Sequence, residues 1–275
     1  MKLSLASITG LLAFANAHGF VQQIWLGDKL VDTWNPYKDP QKNPPVNKIT
    51  RKFKDNGPVT DGLFTVSIWS PSSITNKPLT LRQTDAITCN IASSGANNVP
   101  VSATASVAAG STVKFMWTDW QSDHPGPIMT YLASCKGPCS AFSGSTGNVW
   151  VKIDQAGYDA SQTVPWASKR LPTQNSTWTV KLPSKIPAGE YLLRHEILGL
   201  QRTNTNGSLA QFYPGCHQIS VTGGGSTALP TGIALPGAYQ PDDTKSIFLE
   251  YRKISATNPY TPPGGPVWGD NGWSS

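Results

Sequence analysis

The chain has 275 residues, of which only 14% are charged, and it carries a formal net charge of +6; Gly (25), Pro (23) and Trp (10) are plentiful. Low charge with many turn-formers argues against a helical protein and for a loop-rich, all-β extracellular one. The Lys and Arg residues are scattered and form no basic stripe, which excludes nucleic acid as a partner class.

In chain order, the first segment reads as a secretory signal. Lys2 supplies a positive start, Leu3 to Phe14 is mostly apolar but too short to span a bilayer, and Ala15-Asn16-Ala17 fits the small-x-small cleavage rule. Residues 1–17 are therefore expected to be removed, leaving His18 as the new N-terminus of a single domain over 18–275. No later stretch approaches transmembrane length, so a soluble, secreted monomer with no membrane partner is expected.

Period-2 patterns dominate the rest. Phe20–Leu26, Val101–Val107, Thr112–Trp117, Ile128–Leu132, Val149–Ile153, Thr177–Leu182, Glu190–Leu198 and His217–Thr222 read as strands, broken by Ala109-Gly110, Pro125-Gly126-Pro127 and Pro187-Ala188-Gly189. Strands and turns at this spacing predict a β-sandwich. Two long regions are irregular: Trp34 to Asn56, rich in Pro, Asn and Lys, and the stretch from Gly223-Gly224-Gly225 onward. A loop as long as the first, inside a compact domain, is usually functional or disordered. The second, 223–275, is short and free of cysteine, and reads as a tail packed on the domain rather than a separate binding module.

Four cysteines, Cys89, Cys135, Cys139 and Cys216, suit an oxidising compartment and leave three pairings open. A local bridge could staple the loop between Cys135 and Cys139, and Cys89 would then pair with Cys216. The spacing is wrong for a zinc site built on a CxxC pair. Asn175 and Asn206 head N-glycosylation sequons.

Only four histidines are present, His18, His124, His195 and His217. A histidine at a processed N-terminus offers two nitrogens from one residue, the α-amino group and the imidazole. The amino group has an ordinary pKa of about 7.7–8.0, so a divalent metal displaces its proton near neutrality. A further imidazole would complete a three-nitrogen, nearly planar set of the kind copper accepts. His124 sits in Ser122-Asp123-His124-Pro125-Gly126-Pro127, a stiff loop that would fix the direction of its ring. Gln211 and Tyr213 lie two apart in Gln211-Phe212-Tyr213-Pro214-Gly215-Cys216, so an extended backbone points both to one side. The phenol could take the axial side of a metal, and the amide could hydrogen-bond an oxygen species there.

His18-Gly19, Ile87-Thr88-Cys89-Asn90, His124-Pro125-Gly126-Pro127, Ile128-Met129-Thr130-Tyr131-Leu132-Ala133, Tyr191-Leu192-Leu193-Arg194-His195-Glu196 and Gln211-Phe212-Tyr213-Pro214-Gly215-Cys216 occur in that order. Together they resemble the fungal lytic polysaccharide monooxygenases of auxiliary activity family nine, over His18 to about Trp268. Leu235-Pro236-Gly237-Ala238-Tyr239 and Tyr260-Thr261-Pro262-Pro263 fit the same resemblance. It implies an immunoglobulin/fibronectin III-like β-sandwich with long loops and disulfides Cys89–Cys216 and Cys135–Cys139. It further implies one copper ion held by His18 and His124 with Tyr213 axial, and Gln211 as a hydrogen-bond donor beside it. The implied activity is oxidative cleavage of cellulose or a related β-1,4-glucan at C1 and/or C4. A small-molecule or protein reductant would serve as electron donor, with hydrogen peroxide or dioxygen as co-substrate.

One departure stands out. After Arg194-His195-Glu196 the family commonly reads Ile-Ala-Leu-His, whereas this chain reads Leu198-Gly199-Leu200-Gln201. Gln201 donates hydrogen bonds but cannot act as an acid near neutral pH, so slower or rerouted proton delivery is expected. His195 and His217 read as structural strand histidines. Tyr37 and Tyr260 are the aromatics expected to stack on a glucan. Two rival classes remain at this level: a copper- or glycan-binding protein without turnover, which the Gln201 departure keeps open and a missing oxidised product would favour, and a hydrolase. A glycosidase needs two carboxylates about 5–9.5 Å apart, and no recognisable motif supplies them.

Overall fold

A computed structural model describes residues 18–60, 84–204, 207–208, 210–240 and 243–274. The expected signal segment 1–17 and the Asn206 sequon asparagine lie outside the described residues. The strands in chain order are β1 (Val21–Leu26), β2 (Lys29–Asp32), β3 (Ala105–Ala108), β4 (Thr112–Trp117), β5 (Ile128–Ser134), β6 (Val151–Ala156), β7 (Thr177–Lys181) and β8 (Gly189–Gly199). After them come β9 (Thr203–Asn204), β10 (Gly207–Ser208), β11 (Gln211–Thr222), β12 (Val267–Gly269) and β13 (Gly272–Ser274).

One sheet has the order β2-β1-β4-β7 and the other β3-β11-β8-β5-β6. Only the β3–β11 pairing in these two sheets is parallel. The predicted β-sandwich is thus the observed one. Its main core lies between the sheets, where Ile24, Val113, Phe115 and Trp117 of one meet Ile128, Leu132, Leu193, Ile197, Ile219 and Val221 of the other.

The five-stranded sheet has a second buried face. Leu192, Leu198, Phe212, Met129 and Tyr131 pack there against Ile87, Leu235, Tyr239, Ile247, Leu249 and Tyr260. This explains why β8 is buried along nearly its whole length: a sheet covered on both sides shows a continuous apolar run rather than strict alternation. The covering segments are the turn Ala86–Cys89 and the stretch after Gly223, whose Leu235, Tyr239, Ile247 and Tyr260 are all buried.

Some predicted boundaries shift for local reasons. The Val101 end of the predicted strand Val101–Val107 is held by the Gln218 side chain, which accepts from the Val101 N–H (3.2 Å) and donates to the Val101 (2.8 Å) and Ala103 (3.1 Å) carbonyls. The ladder therefore starts at Ala105. Val149 and Trp150 precede β6 because Trp150 pairs instead with Ile233 of the tail, through N–H···O bonds of 3.1 and 2.8 Å. Both disulfides are present, Cys89–Cys216 and Cys135–Cys139. Asn175 is exposed, at the end of a short helical turn over Leu171–Gln174.

His195 and His217 are fully buried in the main core. The His195 ring stacks on Phe115 at 3.9 Å and its Nδ1 bonds Thr130 Oγ1 at 2.8 Å; His217 Nδ1 bonds Thr50 Oγ1 at 2.9 Å. Neither Nε2 has a hydrogen-bond partner among the described residues, so a proton added there would find no acceptor. Burial holds His217 down to about 3, and burial, with the nearby His217 and Arg194, holds His195 well below the usual imidazole value. The unfolded chain takes up both protons near pH 6.5, so stability is full above that pH and falls as pH drops toward 3. Between pH 6 and 4 we expect a loss on the order of 1–3 kcal/mol per imidazole. Denaturation midpoints measured across that range for the wild type and for His217→Gln check this; a variant with the same acid slope would refute it.

Candidate metal centre

His18 leads into β1, and its segment is tied down on both sides. The Phe20 N–H donates to Thr118 Oγ1 (3.1 Å), the Thr118 N–H donates to the Phe20 carbonyl (2.9 Å), and Asn56 Nδ2 donates to the His18 carbonyl (3.1 Å). Gly19 lies so close to its neighbours that a Cβ there would fall 2.8 Å from Thr118 Oγ1 and 3.1 Å from the Trp120 ring. The absence of a side chain at that position lets the N-terminal strand approach the tryptophan.

His124 reaches the same place from the β4–β5 connection. Its carbonyl accepts from Ser168 Oγ (2.8 Å) and Trp120 Nε1 (3.3 Å). The following turn is locked to β8 by N–H donation from Leu200 to Pro125 O (2.8 Å) and from Leu198 to Pro127 O (3.2 Å). A Cβ on Gly126 would stand 1.7 Å from the Leu198 carbonyl oxygen, so only glycine permits this contact. The stiffness expected of the loop thus has a definite source.

The His18 and His124 rings are 5.9 Å apart between centroids and nearly perpendicular, at 78°. Two imidazoles that each reach a metal at about 2.0–2.1 Å leave room for one small ion at such a separation. Tyr213 sits 6.0 Å from His18, and Trp120 packs edge-on against both Tyr213 (5.0 Å) and His124 (5.9 Å). His124 Nδ1 is held by Asp123 Oδ1 at 2.6 Å, which leaves Nε2 as the nitrogen available to a ligand. Burial, together with the neighbouring His124, lowers the His18 imidazole from its usual value against the opposing pull of Asp55, and so favours the neutral, ligating form. Among the described residues no three His, Cys, Asp or Glu side chains converge on one point. A metal here therefore depends on the amino group that cleavage before His18 would free.

On one side of the pair, β11 places Tyr213 and Gln211 on the same face, as their spacing predicts. Burial, reinforced by Asp123, pushes the Tyr213 phenol up from its usual value, so it stays protonated at neutral pH. Its hydroxyl donates to Gln211 Oε1 (2.8 Å), and Gln201 Nε2 donates to the same oxygen. With its carbonyl end taken by two donors, Gln211 has its amide nitrogen left to donate. Gln201 Oε1 is buried and has no partner among the described residues. The sequence departure therefore lies in the site itself, as a bare acceptor.

The substrate-facing expectations divide. Tyr37 is 52% exposed. Tyr260 is not: it is only 7% exposed, packs edge-on against Trp166 at 4.9 Å, and donates its hydroxyl to the Ser246 carbonyl at 2.9 Å. With no free ring face, Tyr260 is a core residue of the tail and not a sugar-stacking one. Sequence reasoning missed Asp123 and Trp120. Their signal was the Trp117-Thr118-Asp119-Trp120 cluster and the carboxylate adjoining His124, since histidine ligands are typically oriented by a second group.

The sequence profile of Auxiliary Activity family 9 (formerly GH61) matches residues 18–260. The chain belongs to this family. AA9 family lytic polysaccharide monooxygenase C of Geotrichum candidum is 40% identical over 274 residues, covering 99% of this chain, but the chain spans only 46% of that relative's length. AA9 family lytic polysaccharide monooxygenase A of Gloeophyllum trabeum is 38% identical, covering 98% of this chain and 77% of the relative. Among solved structures, a glycoside hydrolase family 61 member from Hypocrea jecorina superposes with a TM-score of 0.71 at 31% identity, over 91% of this chain and 100% of that one. A cellulose-active polysaccharide monooxygenase from M. thermophila gives a TM-score of 0.71 at 26% identity, over 94% and 100%. The match to family 9 begins at His18, the residue that would become the N-terminus after cleavage at the predicted signal site.

Proposed function

We propose that this family 9 chain is a secreted, copper-dependent lytic polysaccharide monooxygenase that cuts cellulose or a related β-1,4-glucan by hydroxylation at C1 and/or C4. The observation that carries the reading is the convergence of the His18 and His124 rings beside a buried, protonated Tyr213. Two imidazoles and one amino group make a nitrogen set that suits copper, with the phenol as a weak additional oxygen donor. When bound, copper would use electrons from an external donor to activate hydrogen peroxide or dioxygen.

The residues divide the remaining work. His18 and His124 would hold the ion, and Asp123 fixes the His124 ring by its Nδ1, leaving Nε2 as the nitrogen for a ligand. Gln211 would offer its amide nitrogen as a donor beside Tyr213, while Gln201 fixes the Gln211 amide through its carbonyl oxygen and supplies neither acid nor base. Tyr37 offers an exposed ring to a pyranose face. Nothing in this set requires a second copy of the chain.

The test uses protein cleaved before His18 and loaded with Cu(II). An axial Cu(II) EPR signal, and reductant-dependent oxidised oligosaccharides from cellulose by mass spectrometry, are expected. A tight copper signal without oxidised product on any β-glucan would sink the enzymatic reading in favour of a copper-binding protein. Soluble sugars released without reductant would instead point to hydrolysis.

A further inference from the structure

The irregular segment 34–57 meets the backbone of the N-terminal histidine through the side chain of Asn56. Its Nδ2 donates to the His18 carbonyl at 3.1 Å. On its other side, Asn56 Oδ1 accepts from the Tyr37 hydroxyl at 2.6 Å, and the Asn56 N–H donates to the Tyr37 oxygen at 3.1 Å. An exposed aromatic ring and the backbone of the N-terminal histidine are therefore two ends of one hydrogen-bonded chain.

Both ends of that chain are stiff. Asn35 Oδ1 accepts from the N–H groups of Tyr37 (3.0 Å) and Lys38 (3.1 Å), which closes a tight side-chain turn under the tyrosine. Asp55 Oδ1 accepts from the Gly57 N–H at 2.8 Å, which closes a similar turn around Asn56. Trp34 Nε1 donates to the Phe53 carbonyl at 2.9 Å, and Phe53 packs on Phe20 of the N-terminal segment at 5.3 Å. Tyr37 is thereby anchored by its hydroxyl while its ring stays open. Such an arrangement presents a broad amphipathic surface at little entropy cost on binding. In a loop braced at both ends, a load on the ring is transmitted rather than absorbed.

We propose that Asn56 is a positioning residue that sets the backbone of His18, and that Tyr37 couples a bound glucan chain to it. The proposal rests on the copper reading of the site. Asn56 holds His18 by its carbonyl, so its effect on copper runs through the backbone of that residue. Outer partners of metal ligands are commonly worth about 10–100-fold in affinity.

The experiment takes cleaved wild-type protein, Asn56→Ala, Tyr37→Phe and Tyr37→Ala. It measures Cu(II) dissociation constants, apo-protein melting, and the Cu(II) EPR spectrum with and without cellohexaose. Asn56→Ala is expected to weaken copper binding about 10-fold with the fold intact. Tyr37→Phe keeps the ring, so cellohexaose affinity stays within about twofold, but the sugar no longer changes the EPR spectrum. Tyr37→Ala loses both sugar affinity and the spectral change. Wild-type copper affinity in Asn56→Ala overturns the positioning role, and an unaltered sugar-induced change in Tyr37→Phe overturns the coupling. Failure of the wild-type protein itself to take up Cu(II) overturns the copper reading and this proposal together.

Discussion

Replacing His124 with alanine is expected to weaken Cu(II) binding by more than 100-fold, and leaving even one residue in front of His18 should do nearly the same. The reasoning starts from the donor count. The described residues bring two imidazoles and a phenol together, and among them no group of three His, Cys, Asp or Glu side chains is arranged to hold a metal ion. A tight site therefore needs the free amino group, and a peptide bond at that nitrogen removes both its lone pair and its basicity. Orienting groups alone are worth about 10–100-fold, so loss of a ligand must cost more. Asp123→Asn tests the lower figure. Its carboxylate is largely exposed, at 78% of the side chain, and solvent screening should hold the loss near the bottom of that range. Isothermal titration of the cleaved protein and of a version with one added N-terminal residue distinguishes the cases. Equal affinity for the two forms would show that copper is held elsewhere and would end the proposed use of His18.

Much of this arrangement is legible in the amino-acid sequence, because the signal is chemical and local. Scarcity makes the histidines informative, a predicted cleavage site just before it makes His18 unusual, and a two-residue spacing puts Gln211 and Tyr213 on one face. The sandwich is legible in the period-2 runs, since half-buried strands alternate. What the runs conceal follows from packing. β2 carries Lys29 and Asp32 and is largely exposed; its existence rests on the turn at Gly27, where φ is +61°, and not on any apolar pattern. Tyr260 sits in a proline-rich stretch that reads as exposed, but that stretch covers the second face of the five-stranded sheet. No local pattern announces that a tail will fold over a sheet. Likewise Gln201 is visible as a departure, while its unpartnered oxygen depends on where Gln211 and Gly199 lie in space.

The same hidden face accounts for the largest stability effect we expect. Arg194 and Glu196 are side by side on β8 and both are wholly buried. They face the tail, because Leu193, His195 and Ile197 between and beside them face the other sheet. Arg194 Nη1 donates to Glu196 Oε2 at 2.9 Å, while its Nε and Nη2 donate to the carbonyls of Thr88 and Ile87, each at 2.8 Å. Tyr239 of the tail donates to Glu196 Oε2 at 2.6 Å. Burial works against the guanidinium's charge, but Glu196 leads the surrounding groups that outweigh it and hold the charge in place. Glu196→Gln keeps the shape and removes the compensating charge, which for a buried pair costs about 3–5 kcal/mol. Arg194→Met should cost at least as much, since it also strands the two carbonyls of the Ile87–Thr88 turn. That turn leads into Cys89, whose disulfide partner Cys216 stands on the strand that carries Tyr213. Tyr213, however, lies on the opposite face of the sheet from Glu196, so copper affinity of the folded Glu196→Gln protein should stay within about threefold of wild type. Urea denaturation read together with copper titration checks both halves. A stability loss below about 1 kcal/mol would show that water reaches the guanidinium and the pair is not sealed. A collapse in copper affinity at full folding would show instead that the two faces of β11 are not independent.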